Sequence, residues 1–155
     1  MRGLAALGAL VLRTPALARA PVPLYRHGLG WLLGPRLMML EHRGRRTGEA
    51  RYACLEVVER PEATRVVVAS GLGERAQWYR NLRADPTCFV SVGRLRRRPA
   101  TARVLGDAEA SAVLERYREA HPRAWRTLRA AIEAAGGPAD HLPVVELVLS
   151  APARP

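Results

Sequence analysis

The run Gly44-Arg45-Arg46-Thr47-Gly48, followed by Arg51, places three guanidinium groups within seven residues. Arginine is a permanently charged planar fork that grips phosphate and carboxylate through paired hydrogen bonds. The flanking glycines let the backbone turn and expose its N–H groups, and Thr47 adds a hydroxyl donor. Together these residues make an anion cradle without a P-loop. The same residues also read as a solvated basic turn.

A second constellation lies downstream. Ser70-Gly71-Leu72-Gly73 is a small, pliable loop after an apolar valine run, and it leads into Gln77-Trp78-Tyr79 at the start of a helix. A helix N-terminus presents free N–H groups to anions and polarised oxygens. Trp78 and Tyr79 offer surfaces that could flank a flat ring. Trp78 and Leu82, four apart, are equally suited to a core.

Other chemistries are excluded by what the chain lacks. Its 155 residues suffice for one ordinary domain, and 48% hydrophobic content supplies a core. All 25 basic residues are arginine, against 14 acidic ones, for a formal charge of +11. Without lysine there is no Schiff-base chemistry and no Gly-Lys-Ser/Thr phosphate loop. Cys54 and Cys88 stand in separate apolar runs, as buried reduced thiols would. His27, His42, His121 and His141 have no ligand spacing, so no metal is expected. No Ser/His/Asp, Cys/His or paired-carboxylate set stands out.

The elements that must position these residues follow from apolar period and turn signals. Helices are expected over 4–13 and 22–34, split by Pro15, Pro21 and Pro23. The first lies before Ala18-Arg19-Ala20, which resembles a secretory cleavage site, but Arg13 and Pro15 cut its apolar stretch short. Strands are expected over 36–42 and 51–59, a hairpin with the arginine loop 43–50 at its tip. A polar turn over 60–64 leads to a doubly buried strand, 65–70. After loop 71–75 come a short helix, 76–84, and a strand, 87–92. A tight basic turn, 93–98, precedes its partner strand, 99–105. Asp107 is the expected cap of the next helix, whose apolar stripe runs from Ala108 to Ala120. Another helix over 122–135 stops at Gly136-Gly137-Pro138, and a last strand covers 144–149. Strands arriving as hairpins without regular βαβ crossovers predict a mostly antiparallel α+β fold, a sheet or small barrel with flanking helices.

Gly44-Arg45-Arg46-Thr47-Gly48-x-x-Arg51 followed by V-V-A-S-G-x-G and W-Y-x-N-L-x-A-D-P resembles the deazaflavin-dependent nitroreductases, also described as F420H2-dependent quinone reductases. The later stretches V-x-V-G-x-x-x-x-x-A-x-A-R-V and L-P-V-V-E-L extend the likeness from about Pro35 to Leu149. The resemblance implies a split β-barrel, as in FMN-binding flavoreductases, over residues 35–150. It implies coenzyme F420, with Arg45, Arg46 and Arg51 on the phosphate and tail. It places Thr47, Ser70, Gly71, Leu72, Gly73, Gln77 and Trp78 at the cofactor as well. The family's substrate-side tyrosines have only Tyr117 as a candidate here.

The implied activity is hydride transfer from reduced F420 to an electron-poor small molecule such as a quinone or nitroaromatic. An enzyme lacking its own reactive group fits a cofactor that brings the chemistry. The alternatives are an FMN-binding flavoreductase of the same fold and a non-enzymatic cofactor- or lipid-binding protein. Three arginines at one tip favour the longer anionic tail of F420 over FMN. With 5% aromatic residues and no recognition helix, nucleic acid is not the expected partner. The chain is expected in the cytoplasm as a monomer or homodimer. Its apolar segment 1–34 is expected to cover the acceptor side of the pocket or to meet the inner face of the membrane, with Arg94 and Arg96 to Arg98 near anionic lipid.

Overall fold

The computed structural model describes residues 20–151; the expected helix over 4–13 lies outside them. The described chain runs α1 (Val22–Arg26), a 3-10 turn (Gly30–Leu33), β1 (Leu37–Arg43), β2 (Ala50–Glu56), β3 (Glu59–Glu62) and β4 (Arg65–Ala69). A second 3-10 turn (Gly73–Arg75) precedes α2 (Gln77–Ala84), and β5 (Thr87–Val92) and β6 (Leu95–Val104) follow. The chain closes with α3 (Asp107–Ala120), α4 (Pro122–Ala134) and β7 (Val144–Leu149).

All seven strands join one antiparallel sheet in the order β2-β1-β5-β6-β7-β4-β3. Side chains from β1, β4, β5, β6 and β7, with Ala53 and Leu55 of β2 against them, share one apolar cluster. A flat sheet cannot bring β2 and β4 to the same core, so the sheet curls into a split β-barrel of the α+β class.

The period of two along each strand assigns the faces. In β1, Met38, Leu40 and His42 point one way and Met39 the other. In β4, Val66 and Val68 enter the barrel core, while Val67 packs outward under α3 and α4. The valine run is therefore buried on both faces. A fully buried side chain of this size contributes about 1.5–3 kcal/mol. α3 turns Val113, Leu114 and Tyr117 onto the outer cluster, and α4 adds Trp125 and Ile132. α2 lies at the barrel end, where Trp78, Tyr79 and Leu82 are buried in the inner core.

Four expectations need correction. The segment 22–34 is two short turns, because the chain reverses at Gly28 (φ +77°) to lay Tyr25 against β1. The expected strand 51–59 ends at Glu56, and most of the expected turn 60–64 is the edge strand β3. Its exposed Glu-Arg-Pro-Glu sequence lacks an apolar face to announce it. The basic run Arg96–Arg98 lies in β6 rather than in a turn; only Gly93 and Arg94 turn the chain. Gly106, not Asp107, occupies the N-cap of α3, and no side chain caps it. Cys54 and Cys88 are free and buried, and burial pushes both thiols up to about 12.

Candidate functional site

The β1–β2 hairpin places the arginines. Its strands pair in register from Leu37↔Glu56 to Arg43↔Ala50, leaving Gly44 to Glu49 as the tip. The Gly44 N–H donates to the Glu49 carbonyl at 2.9 Å and the Gly48 N–H to the Gly44 carbonyl at 2.7 Å. The tip is closed on itself and holds Arg45, Arg46 and Thr47 in solvent. Thr47 Oγ1 accepts from the Glu49 N–H at 3.3 Å. A Cβ on Gly44 would stand 2.9 Å from that hydroxyl oxygen. Only glycine lets Thr47 fold back this closely.

The three arginines differ. Arg46 forms no ion pair or hydrogen bond among the described residues. Arg51 pairs with Glu49 at 3.1 Å, and both side chains are more than half exposed. Such a pair is worth little and yields readily to a stronger anion. Arg45 is bound to α2: its Nη1 donates to Gln77 Oε1 and to Asn81 Oδ1, each at 2.9 Å, and its backbone N–H donates to Asn81 Oδ1 at 3.2 Å. Asn81 Nδ2 in turn lies 3.1 Å from Nδ1 of buried His42. Burial, aided by the charge of Arg51 across the hairpin, pushes His42 down to about 4.

The loop before α2 is also held shut. Ser70 Oγ donates to the Gly73 carbonyl at 2.6 Å, and the Gly73 N–H returns to the Ser70 carbonyl at 3.0 Å. Gly73 has φ +64°, and a Cβ there would meet nothing within 4 Å. Its outer side is open space. Gly71, Leu72 and Gly73 form one wall of a cleft of about 550 Å³, within the range of small-molecule sites. Leu105, Leu114 and Leu142 supply apolar lining opposite, and Arg75, Asp107 and Asp140 bring charge to it.

The structure thus brings Arg45, Arg46, Thr47 and Arg51 together on one tip and joins that tip through Gln77 to the helix behind the Gly71–Gly73 wall. Ser70 and Trp78 stand behind this surface. Ser70 is 1% exposed and holds the loop; Trp78 is 8% exposed and meets Tyr79 edge-on within the core. Tyr79, rather than Trp78, reaches the cleft. Tyr117 does not line it. Its hydroxyl donates to Glu56 Oε1 at 2.9 Å, an oxygen that also accepts from Arg36. Burial and the Glu56 charge push the Tyr117 hydroxyl well above its ordinary value. None of the cleft lining comes from residues 20–34.

Three features escaped the sequence reading. The far wall of the cleft comes from α3 and the turn 136–143, whose Gly-Gly-Pro read only as a helix stop. Asn81 stands one turn after Gln77, a spacing that places both on one helix face. His42 continues the inward phase of Met38 and Leu40.

A curled antiparallel barrel with an arginine tip bonded to α2 and a cleft bordered by the loop before α2 defines a small-molecule- or cofactor-binding split-barrel protein. A family profile described as F420H(2)-dependent quinone reductase matches residues 19–132, and the chain belongs to that family. The Mycobacterium tuberculosis protein Rv3178, which bears the same family's name, is 38% identical over 87 residues, 54% of this chain and 71% of that one. Among solved structures, the F420-H2 dependent reductase FDR-A superposes with a TM-score of 0.52 at 23% identity, covering 72% of this chain and 93% of its own. Another, described as a domain-swapped dimer, gives 0.53 at 22%, covering 83% and 99%. At these identities the superpositions speak for the fold.

The family's cofactor is coenzyme F420, not FMN. The residues fit it. Its anionic tail needs fixed cations, and the tip presents guanidinium groups that no buried carboxylate neutralises. Its planar ring needs close backbone approach, and Gly73 leaves one side of the cleft wall without a side chain.

Proposed function

We propose that this chain is an oxidoreductase that takes a hydride from reduced F420 and delivers it to an electron-poor acceptor, a quinone or a nitroaromatic. When bound, the reduced deazaflavin supplies the hydride. Arg45, Arg46 and Arg51, with Thr47, hold the phosphate and carboxylates of the tail. The Gly71–Gly73 backbone borders the ring, and Ser70 and Trp78 support that loop from behind. Gln77 ties the two halves together. Leu105, Leu114 and Leu142 give the acceptor's side apolar surface to stack on, beside the charges of Glu74, Arg75, Asp107 and Asp140. The observation that carries this reading is the bonding of Arg45 to Gln77 and Asn81. It fixes the arginine tip against α2, the helix that follows the Gly71–Gly73 wall of the cleft.

The test is direct. Purified protein titrated into F420 should change the cofactor's fluorescence at micromolar concentration, whereas FMN should bind far more weakly. Stopped-flow oxidation of reduced F420 should then be accelerated by quinones and nitroaromatics. A protein that leaves F420 fluorescence untouched sinks the reading.

The described N-terminal segment supports a peripheral location. Leu29, Trp31 and Leu32 are 41%, 52% and 57% exposed, and Trp31 shares a recess of about 240 Å³ with Arg94 and Arg96. Exposed apolar side chains beside cations suit an anionic bilayer surface. No helix among the described residues is long and apolar enough to cross a membrane. Sedimentation with phosphatidylglycerol vesicles, but not phosphatidylcholine ones, should fall on replacing Trp31 and Leu32 by serine. Equal sedimentation of parent and variant removes the membrane from the account.

A further inference from the structure

We propose that Asn81 is a positioning residue for the cofactor's anionic tail, acting through Arg45, which it fixes on the face of α2 with His42 behind it. The inference rests on the assignment of the hairpin tip to that tail.

The geometry leaves the Asn81 amide one orientation. Its oxygen accepts twice from Arg45, at 3.2 Å from the backbone N–H and 2.9 Å from Nη1. The nitrogen must therefore face His42, where Nδ1 lies 3.1 Å away and accepts. The His42 ring consequently carries its proton on Nε2. Asn81 is 5% and His42 4% exposed, so neither amide nor ring can exchange its partner for water. Gln77, one turn earlier, completes the grip on Nη1 at 2.9 Å.

A purely structural link between hairpin and helix would need only the backbone N–H of Arg45. The grip extends to an exposed guanidinium, whose free rotation is thereby lost before any ligand arrives. Ordering a long side chain in advance spares a ligand that cost on binding. Both partners are neutral amides. They orient the charge without cancelling it, as a carboxylate would. Arg46, on the same tip, has no such holder and must be ordered by the ligand itself.

Immobilising one such side chain is worth a factor of roughly 2 to 12 in affinity. Asn81→Leu should therefore raise the F420 dissociation constant, read by fluorescence quenching, by about that factor. In turnover the loss should appear in the cofactor KM rather than in kcat. The deciding measurement is a double-mutant cycle with Arg45→Ala. If Asn81 acts through Arg45, adding Asn81→Leu to Arg45→Ala should cost less than about twofold more. Equal losses in the two backgrounds, or no loss in the parent, overturn the proposal. Asn81→Leu strands buried His42, so Gln77→Leu, at an exposed position, repeats the cycle without that burden and should show the same non-additivity. Arg46→Ala separates the two levels of the argument. If neither Arg46→Ala nor Arg45→Ala weakens F420 binding, the tip is not the tail site. If both weaken it while Asn81→Leu and Gln77→Leu do not, the positioning role alone is wrong.

Discussion

Two arginine-rich hairpins sit on neighbouring strand pairs of one sheet, and the proposed cofactor-tail site is only one of them. The β5–β6 hairpin carries Arg94, Arg96, Arg97 and Arg98, one more arginine than the cradle. Arg97 forms a two-pronged pair with Glu41, both contacts 2.9 Å, and lies 3.9 Å over the Phe89 ring. Its backbone, at φ +44°, accommodates a bulge opposite Ser91, whose hydroxyl accepts the Arg97 N–H at 2.9 Å. Arg98 donates to the Ser150 carbonyl at 3.2 Å. At the β1–β2 tip, Arg45 is held by neutral amides, Arg46 has no partner among the described residues, and Arg51 has only a weak exposed one. Counting guanidinium groups does not distinguish the hairpins. Nor does ion pairing, since each has one arginine on a carboxylate, Arg51 on Glu49 and Arg97 on Glu41; the difference is that Arg45 is held by two neutral amides, which orient its charge without cancelling it.

The largest contrast should appear in cofactor binding. A hydrogen bond to a charged group is worth about 1.5–3 kcal/mol. Arg46→Ala should weaken F420 binding by about 10- to 150-fold, and Arg97→Ala should leave it within about twofold. Equal losses at the two hairpins would erase the distinction and reduce both to general electrostatic attraction.

The cradle side carries a pH effect on stability through His42. His42 titrates near 4 when folded and near 6.5 when unfolded. Between those values the unfolded chain binds the extra proton. The contribution is complete above about pH 6.5 and is lost as pH falls toward 4. Denaturant titrations should show about 2 kcal/mol lost from this group between pH 7 and 4.5. His42→Gln keeps an acceptor for Asn81 and should flatten that part of the curve. An unchanged slope in the variant assigns the loss elsewhere.

Arg97→Ala sharpens the comparison from the other side. Glu41, 12% exposed, loses its cation, but Arg97 itself is largely in water. Unfolding free energy should fall by about 1 kcal/mol at neutral pH, with F420 affinity intact. Arg46→Ala should give the reverse, with stability unchanged within about 0.5 kcal/mol.

The smallest effect is that of salt. The Debye length shortens from roughly 10 Å at 0.1 M to roughly 3 Å at 1 M. F420 affinity of the parent should fall several-fold over that range, and that of Arg46→Ala by less. Parallel salt curves would mean that Arg46 adds no ionic contact.

Much of this was legible in the residues. Val66 to Val68 announced a strand buried on both faces, and Asp85-Pro86 marked the end of α2 because the residue before proline avoids helical backbone. Gly44 to Gly48 marked a hairpin tip, and the ordered motifs pointed to the family. What misled were residues whose environment is made by distant chain. Arg96 to Arg98 look like a solvated turn, since nothing nearby in sequence shows that Phe89 on the adjacent strand and Glu41 on the one beyond it wait for Arg97. Trp78 suits a ring platform or a core by its sequence, and α2's seat at the barrel end turns it inward with Leu82. Tyr117 looks like a free hydroxyl, and Glu56, across the fold, takes it up.

The sequence by itself determined the local alphabet of the protein: which segments are strands, where the chain must turn, and that its cations are all forked and permanent. These follow from backbone sterics, side-chain period and proton affinity, which act within a few residues. Only the tertiary structure decided which arginines keep their charge available. That depends on whether a carboxylate or an amide arrives at 2.9 Å: the packing of α2 on β1 and β2 brings Gln77 and Asn81 to Arg45, and the strand order β1-β5-β6 brings Glu41 to Arg97.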